Sequence, residues 1–152
     1  MIDVPSKIFD RDINKVDMGL SDIYLCSKDE IEDAQIGFRV DNEGNPIKEW
    51  IGDNYVVIGD DSCCGDPIIT DVSNDKLPVY TMFHDDWSTL QQIATDFDQY
   101  IEILHKIDDT DLRDENEKNE LISFIKDIVP EEGIEYWDAA IRAGYEFLND
   151  ID

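Results

Sequence analysis

The chain has 152 residues, with 38 Asp and Glu against 12 Lys and Arg, a formal charge of −26. A chain of this length makes one domain able to bury a core without disulfide staples, and no apolar run approaches the roughly 20 residues that a bilayer-spanning helix needs. The acidic excess excludes nucleic acid and anionic membrane as partners, because phosphate contacts need Lys and Arg; it favours a basic partner steered in from a distance, against the simpler alternative of a well-solvated surface.

The chain opens Met-Ile-Asp-Val-Pro-Ser-Lys, without the basic start and apolar block of a secretory signal, so a cytoplasmic location is expected. Over residues 1–33, Ile8, Phe9, Ile13, Val16, Met18 and Leu20 are apolar but keep neither the helical nor the strand period. Residues 23–26 read as a short buried strand. Ser27 as an N-cap, with Glu30 three residues on, has capping-box spacing for one helical turn. Ile36, Phe38 and Val40 alternate with Gly37 and Arg39, the pattern of a half-buried strand. Turn-forming residues fill 41–46, so 47–50 are expected to return as the second arm of a hairpin.

Residues 55–58, Tyr-Val-Val-Ile, are a pleated, buried segment by type. Gly59 and Gly65 bracket an acidic corner carrying Asp60, Asp61 and Asp66, where backbone angles closed to other residues are expected. Pro67 opens a second strand that continues to Asp71. After a turn at 73–76, residues 78–84 read as a further strand. Strands joined by short turns imply antiparallel pairing, since parallel strands need long crossovers.

The second half is helical. Phe97, Tyr100, Ile101 and Leu104 share one helix face. Two starts compete: Ser88 with Gln91, which would draw Leu90, Ile93 and Ala94 into the helix, or a cap at Thr95 or Asp96. Residues 108–119 are polar, a solvated loop or helix lead-in. Leu121, Ile122, Ile125, Ile128 and Val129 form a second stripe stopped by Pro130. Trp137, Ala140, Ile141, Gly144, Tyr145 and Leu148 form a third, with Glu131 and Glu132 suited to its N-terminus. The expected fold is therefore α+β, a single domain over 1–152. A mainly antiparallel sheet of about four to six strands carries packed helices, and the C-terminal half is helical.

Candidate chemistry is sparse. Cys63 and Cys64 precede a glycine in a turn and His84 lies on the next predicted strand, which raises a Cys–His pair. The surroundings are acidic, however, and reactive thiols favour electropositive ones. Cys26, Cys63 and Cys64 are read as reduced structural thiols, with no catalytic set. Asp109, Asp111 and Glu120 take calcium-loop positions, but Arg113 and Asp114 break the pattern; the run from Asp10, Asp12 and Asn14 fails at Lys15 and Ser21. Asp60, Asp61, Asp66 and Asp71 offer oxygens for a loose cation site, against the alternative of solvated turn acids. No glycine loop has phosphate-binding spacing, and no cofactor or metal is expected. Trp50 and Trp87 lie near turns and are candidate anchors on a binding face.

In order, Trp50, residues 55–61, Gly65-Asp-Pro-Ile-Ile-Thr-Asp, Leu77-Pro-Val-Tyr, His84-Asp85 and the run 93–101 together resemble the SUKH superfamily, which includes bacterial immunity proteins and a yeast cell-wall-synthesis regulator. The pattern covers about 50–104. Residues 1–33 depart from it, lacking the opening Leu-Pro-x-x-Tyr-like stretch and Asn-Gly-Gly-like turn, and the helices over 115–149 lie outside it. The resemblance implies an α+β fold and favours starting the first long helix at Thr95 or Asp96. It also implies neutralisation of a cognate toxin, often a nuclease, without catalysis. A nuclease presents a basic cleft, which an acidic inhibitor can occupy. The expected contacts are Asp60, Asp61, Asp66, Asp85 and Asp86, with Trp50 or Trp87 as anchors. The alternative is a regulatory scaffold for cell-wall or signalling proteins.

Overall fold

The computed structural model describes residues 2–150. One six-stranded antiparallel sheet, each strand hydrogen-bonded to its neighbour in sequence, carries a layer of helices on one face. The strands are β1 (Lys15–Asp17), β2 (Asp22–Leu25), β3 (Tyr55–Asp61), β4 (Asp66–Asp71), β5 (Val79–Phe83) and β6 (Asp86–Ala94). A four-residue helix, α1 (Ile31–Ala34), precedes the long helices α2 (Phe97–Asp108), α3 (Glu115–Ile128) and α4 (Glu131–Asp150). The α+β expectation holds, with the helical half C-terminal.

The central strands are buried on both faces, and alternate side chains divide between two cores. Val56, Ile58, Ile68 and Val79 face the helices, where they meet Phe97, Tyr100, Leu121, Trp137 and Ile141 in the main core. Val57, Ile69 and Met82 face the other way into a second, smaller core. Both edge strands touch α2, so the sheet curls around its helices. Helix α4 starts against the free edge of β6: a Cβ at Gly133 would sit 2.7 Å from the Gln92 carbonyl. One flank of α4 is closed by α3, through Lys126 with Asp138 and Lys118 stacked 4.1 Å over the Tyr145 ring. Further along, a Cβ at Gly144 would lie 2.0 Å from the Met18 carbonyl, so α4 also closes on the β1–β2 turn.

The long-helix caps follow the sequence. Asp96 is the N-cap of α2, its side chain accepting from the Gln99 N–H at 2.7 Å, and Asp114 caps α3 in the same way. The competing start at Ser88 is wrong: Ser88 donates to Asp86 at the beginning of β6, and Leu90, Ile93 and Ala94 are strand residues. Ser27 is no N-cap either. Its N–H and the Tyr24 hydroxyl both donate to the Glu30 carboxylate, which braces a turn, and α1 starts only at Ile31.

The expected hairpin over residues 36–50 is reduced to one antiparallel bridge, Val40 with Pro46, and neither arm forms a strand. The N–H groups of Phe38, Arg39 and Val40 all converge on the Gln35 carbonyl, and Gly37 takes φ +91°. The chain coils there, and the alternating apolar residues instead lay Phe38 and Trp50 over the second core. Gly59 is also required for a different reason from the one expected. It has no left-handed backbone; a Cβ would lie 2.2 Å from the Tyr24 carbonyl, where β2 presses on β3 beside a bulge. Gly65, by contrast, does take φ +75° in the turn.

The opening residues, which keep no clear period, are organised by Arg11. Its guanidinium donates to the carbonyls of Ile8, Leu25 and Cys26, tying the first turn to the end of β2, and its Nε donates to Ile13. Burial pulls the Arg11 pKa down from its ordinary value.

Candidate functional site

In a meander, alternate hairpin turns lie at the same end of the sheet. The β1–β2, β3–β4 and β5–β6 turns therefore share one rim. Hydrogen bonds join them. Asp22 and Ser62 bond reciprocally between the first two turns, and Asp66 accepts from both the backbone and the Nδ1 side of His84 in the third, at 2.9 and 3.0 Å. The rim gathers Asp60, Asp61, Asp66, Asp85 and Asp86, distant in sequence, and adds Asp17 and Asp22, which the sequence reading missed. Among the described residues, the basic side chains paired with these acids are His84 with Asp66 and Lys15 with Asp22.

The acids have different tasks. Asp61 accepts from the Cys63 N–H and Asp86 from Ser88, each shaping its own turn. Asp61 pairs with Ile23 and Asp66, which places Asp61 and Asp66 on the helix side of the sheet. Asp60 pairs with Tyr24 and lies on the reverse side, as does Trp87. Asp85 is exposed at the tip of the third turn.

Asp60 carries its charge at a cost. Lost hydration, and then repulsion from Asp61, raise its carboxyl above the ordinary 3.8. A folded-state value above the unfolded one gives a contribution present below pH 3.8 and lost as pH rises through the folded value. Asp60→Asn is therefore expected to raise the thermal midpoint at pH 7 and to leave it unchanged near pH 3, read by calorimetry.

Trp50 and Trp87 do not stand on this rim as free anchors. Their rings meet edge to face at 5.4 Å, with Phe38 about 6 Å from each, on the reverse face of the sheet. Both indole N–H groups are engaged, by the Tyr55 and His84 carbonyls. They are half-buried, covering the second core. Paired aromatics at turn positions read as surface anchors in a sequence because nothing local tells which face they share.

The thiols also divide. Cys26 is buried and its thiol is pushed up to about 11 by that burial. Cys63 and Cys64 are exposed in the β3–β4 turn, so they are not core thiols as expected. A hydrogen bond with Cys63 raises the Cys64 thiol, and His84 is turned toward Asp66. With a disulfide-exchange reagent at pH 8, two thiols are expected to react in the folded protein. The third should react only after denaturation; rapid reaction of all three would contradict the packing of Cys26.

Among the described residues, no group of three or more His, Cys, Asp or Glu side chains is arranged to hold a metal ion, and no helix is long and apolar enough to cross a membrane. Beside the rim lies a feature the sequence did not indicate. An open groove of about 540 Å³ runs between α4 and the β5–β6 hairpin, lined mainly by apolar atoms of Phe83, Tyr136, Ala139 and Ala140. Its residues come from β5, β6 and α4, with α2 and α3 intervening in the chain, so only the fold assembles it. Phe83 alone carried a signal, as an apolar residue at a strand end beside a charged turn.

No known family, curated protein or solved structure matches this chain.

Proposed function

We propose that the protein is a cytoplasmic, non-catalytic inhibitor that neutralises a cognate basic toxin domain, a nuclease by preference, by binding it through the acidic rim. One observation carries the reading: three turns far apart in sequence bring Asp17, Asp22, Asp60, Asp61, Asp66, Asp85 and Asp86 to one end of the sheet. Acids spread only for solubility need no such gathering. A single-signed surface focuses its field, steers an oppositely charged partner and repels nucleic acid from the same approach. A nuclease cleft, built to hold phosphates, is the protein surface that matches it. The order of residues over 50–104, similar to that of the SUKH superfamily, favours the same class.

The test is affinity capture with the tagged protein, at low and moderate salt, followed by reconstitution of what is captured. The expected result is one basic toxin domain, held one to one, inhibited in its own assay, and released as salt rises. Reversing Asp61, Asp66 and Asp85 to lysine should weaken that complex at least about tenfold, mostly through slower association. Unchanged affinity would remove this face from the reading. Capture of several cell-wall or signalling proteins, with no toxin among them, would transfer the conclusion to a regulatory scaffold.

A further inference from the structure

The groove beside α4 has the chemistry of a receptor for one side chain. Helix α4 buries Gly133, Trp137, Ile141 and Gly144 against the sheet, and α3 covers its flank at Asp138 and Tyr145. The opposite flank carries Tyr136, Ala140, Ala143 and Phe147 at i, i+4, i+7 and i+11; Tyr136 and Ala140 pack partly against the main core and also line the groove. Phe83, across the groove, is 56% exposed. An exposed phenylalanine is ordinary singly; one that forms the wall of an apolar trough of about 540 Å³, with Tyr136, Ala139 and Ala140 opposite, makes a continuous patch.

Its margin is acidic. Glu135 lines the groove, and strand register puts Asp61 and Asp66 on the same side of the sheet as Phe83. Burial raises the Tyr136 hydroxyl pKa, and the charges of Asp61 and Asp66 push it further in the same direction. A small-molecule site would add polar groups converging on its floor. Here apolar atoms predominate; of the polar lining residues Thr89 is already engaged, accepting from the Phe83 N–H and donating to the Asp86 carbonyl, and Gln91 and Glu135 are the others.

We propose that this groove receives an apolar side chain, aromatic or branched aliphatic, carried on a Lys- and Arg-rich segment of a protein partner, with Asp61, Asp66 and Glu135 engaging the flanking cations. The inference rests on the reading of the rim as a surface for a basic protein and adds to it the anchor that fixes register, since charge alone steers without specifying position.

The probes are synthetic peptides with three basic residues on each side of one central tryptophan, leucine or alanine. Each is titrated at low salt into protein labelled at its alanine methyls. The tryptophan and leucine peptides are expected to bind at least about fivefold more tightly than the alanine peptide, from the apolar surface they bury. They should also move the methyl signals of Ala139 and Ala140 most. Ala139→Trp, which fills the groove from an exposed position, and Phe83→Ser, which removes one wall, should abolish that preference while alanine-peptide binding persists; circular dichroism verifies their folds. Equal affinity for the three peptides, sensitive to salt and to Asp66→Asn, would overturn the groove and leave the charged rim standing. Absence of binding by any of them at low salt would overturn both.

Discussion

Replacing Trp137 by alanine is expected to destabilise the protein by about 3–5 kcal/mol, the range for emptying a large aromatic site in a packed core. Trp137 is 0% exposed, lies between Tyr100 and Tyr136 with ring centroids 6.1 and 5.1 Å away, and donates its indole N–H to the Ile93 carbonyl at 2.8 Å. The hydrogen bond matters because β6 is an edge strand. Its outward carbonyls and N–H groups would otherwise be open to pairing with another chain. At this edge Glu132 accepts from the Gln92 N–H, Trp137 serves the Ile93 carbonyl, and Gly133 lets the helix approach both. Trp137→Phe separates the contributions. It keeps most of the ring but leaves the carbonyl unserved, for an expected loss of about 1–3 kcal/mol. Urea denaturation followed by far-ultraviolet circular dichroism gives both values; a loss below about 1 kcal/mol for the alanine variant would contradict the packing described.

The second large effect is expected at Gln35, a position with no catalytic or binding role in this account. Its side chain, 2% exposed, donates to the carbonyls of Ile31 and Val57 and accepts from the Val57 N–H, at 2.8, 2.7 and 3.0 Å. Strand β2 leaves the sheet after Leu25, and the amide of Gln35 takes the place of the backbone that would have paired with Val57. Gln35→Leu has nearly the same volume but leaves both backbone groups of Val57 without that partner, for an expected loss of about 2–5 kcal/mol. Gln35→Glu offers a sharper test. A carboxylate there still accepts from the N–H but faces two carbonyls, so its pKa should be raised. Its destabilisation should then be largest at neutral pH and shrink as pH falls toward about 5, where the protonated acid can donate again. A variant equally unstable at both pH values would show that the side chain has left the site.

Both positions mark what the sequence could and could not convey. The strands read at 55–58, 67–71 and 78–84 and the long helices were legible because β-branched runs and helical stripes are bounded by turn residues, by Asp96 and by Pro130; that β3 runs on through Gly59 to Asp61, and that Asp114 caps α3, was not. Residues 36–50 imitated the strand period, but there the alternation served a coil whose backbone closes on Gln35. The period of Lys15–Asp17 was invisible in a run of three residues. As for the site, the acidic corner and the neighbouring Asp85 and Asp86 could be located from the sequence, whereas their union with Asp17 and Asp22 depends on strand order. That Trp50 and Trp87 meet on the reverse face of the sheet was not legible, because turn proximity says nothing about which face a loop returns to. The groove at α4 lies between chain segments that no local pattern connects.

The closure of α4 on both the β1–β2 turn and the β6 edge has a further consequence during synthesis. The strands pair with sequence neighbours, so hairpins can form in the order in which they leave the ribosome, at roughly 5–20 residues per second. Helices α2 and α3 can cover part of the helix-facing side chains as they emerge, but the open edge of β6 waits for residues 131–150, which are translated last. For that interval the nascent chain displays an unprotected edge strand, open to pairing with another chain.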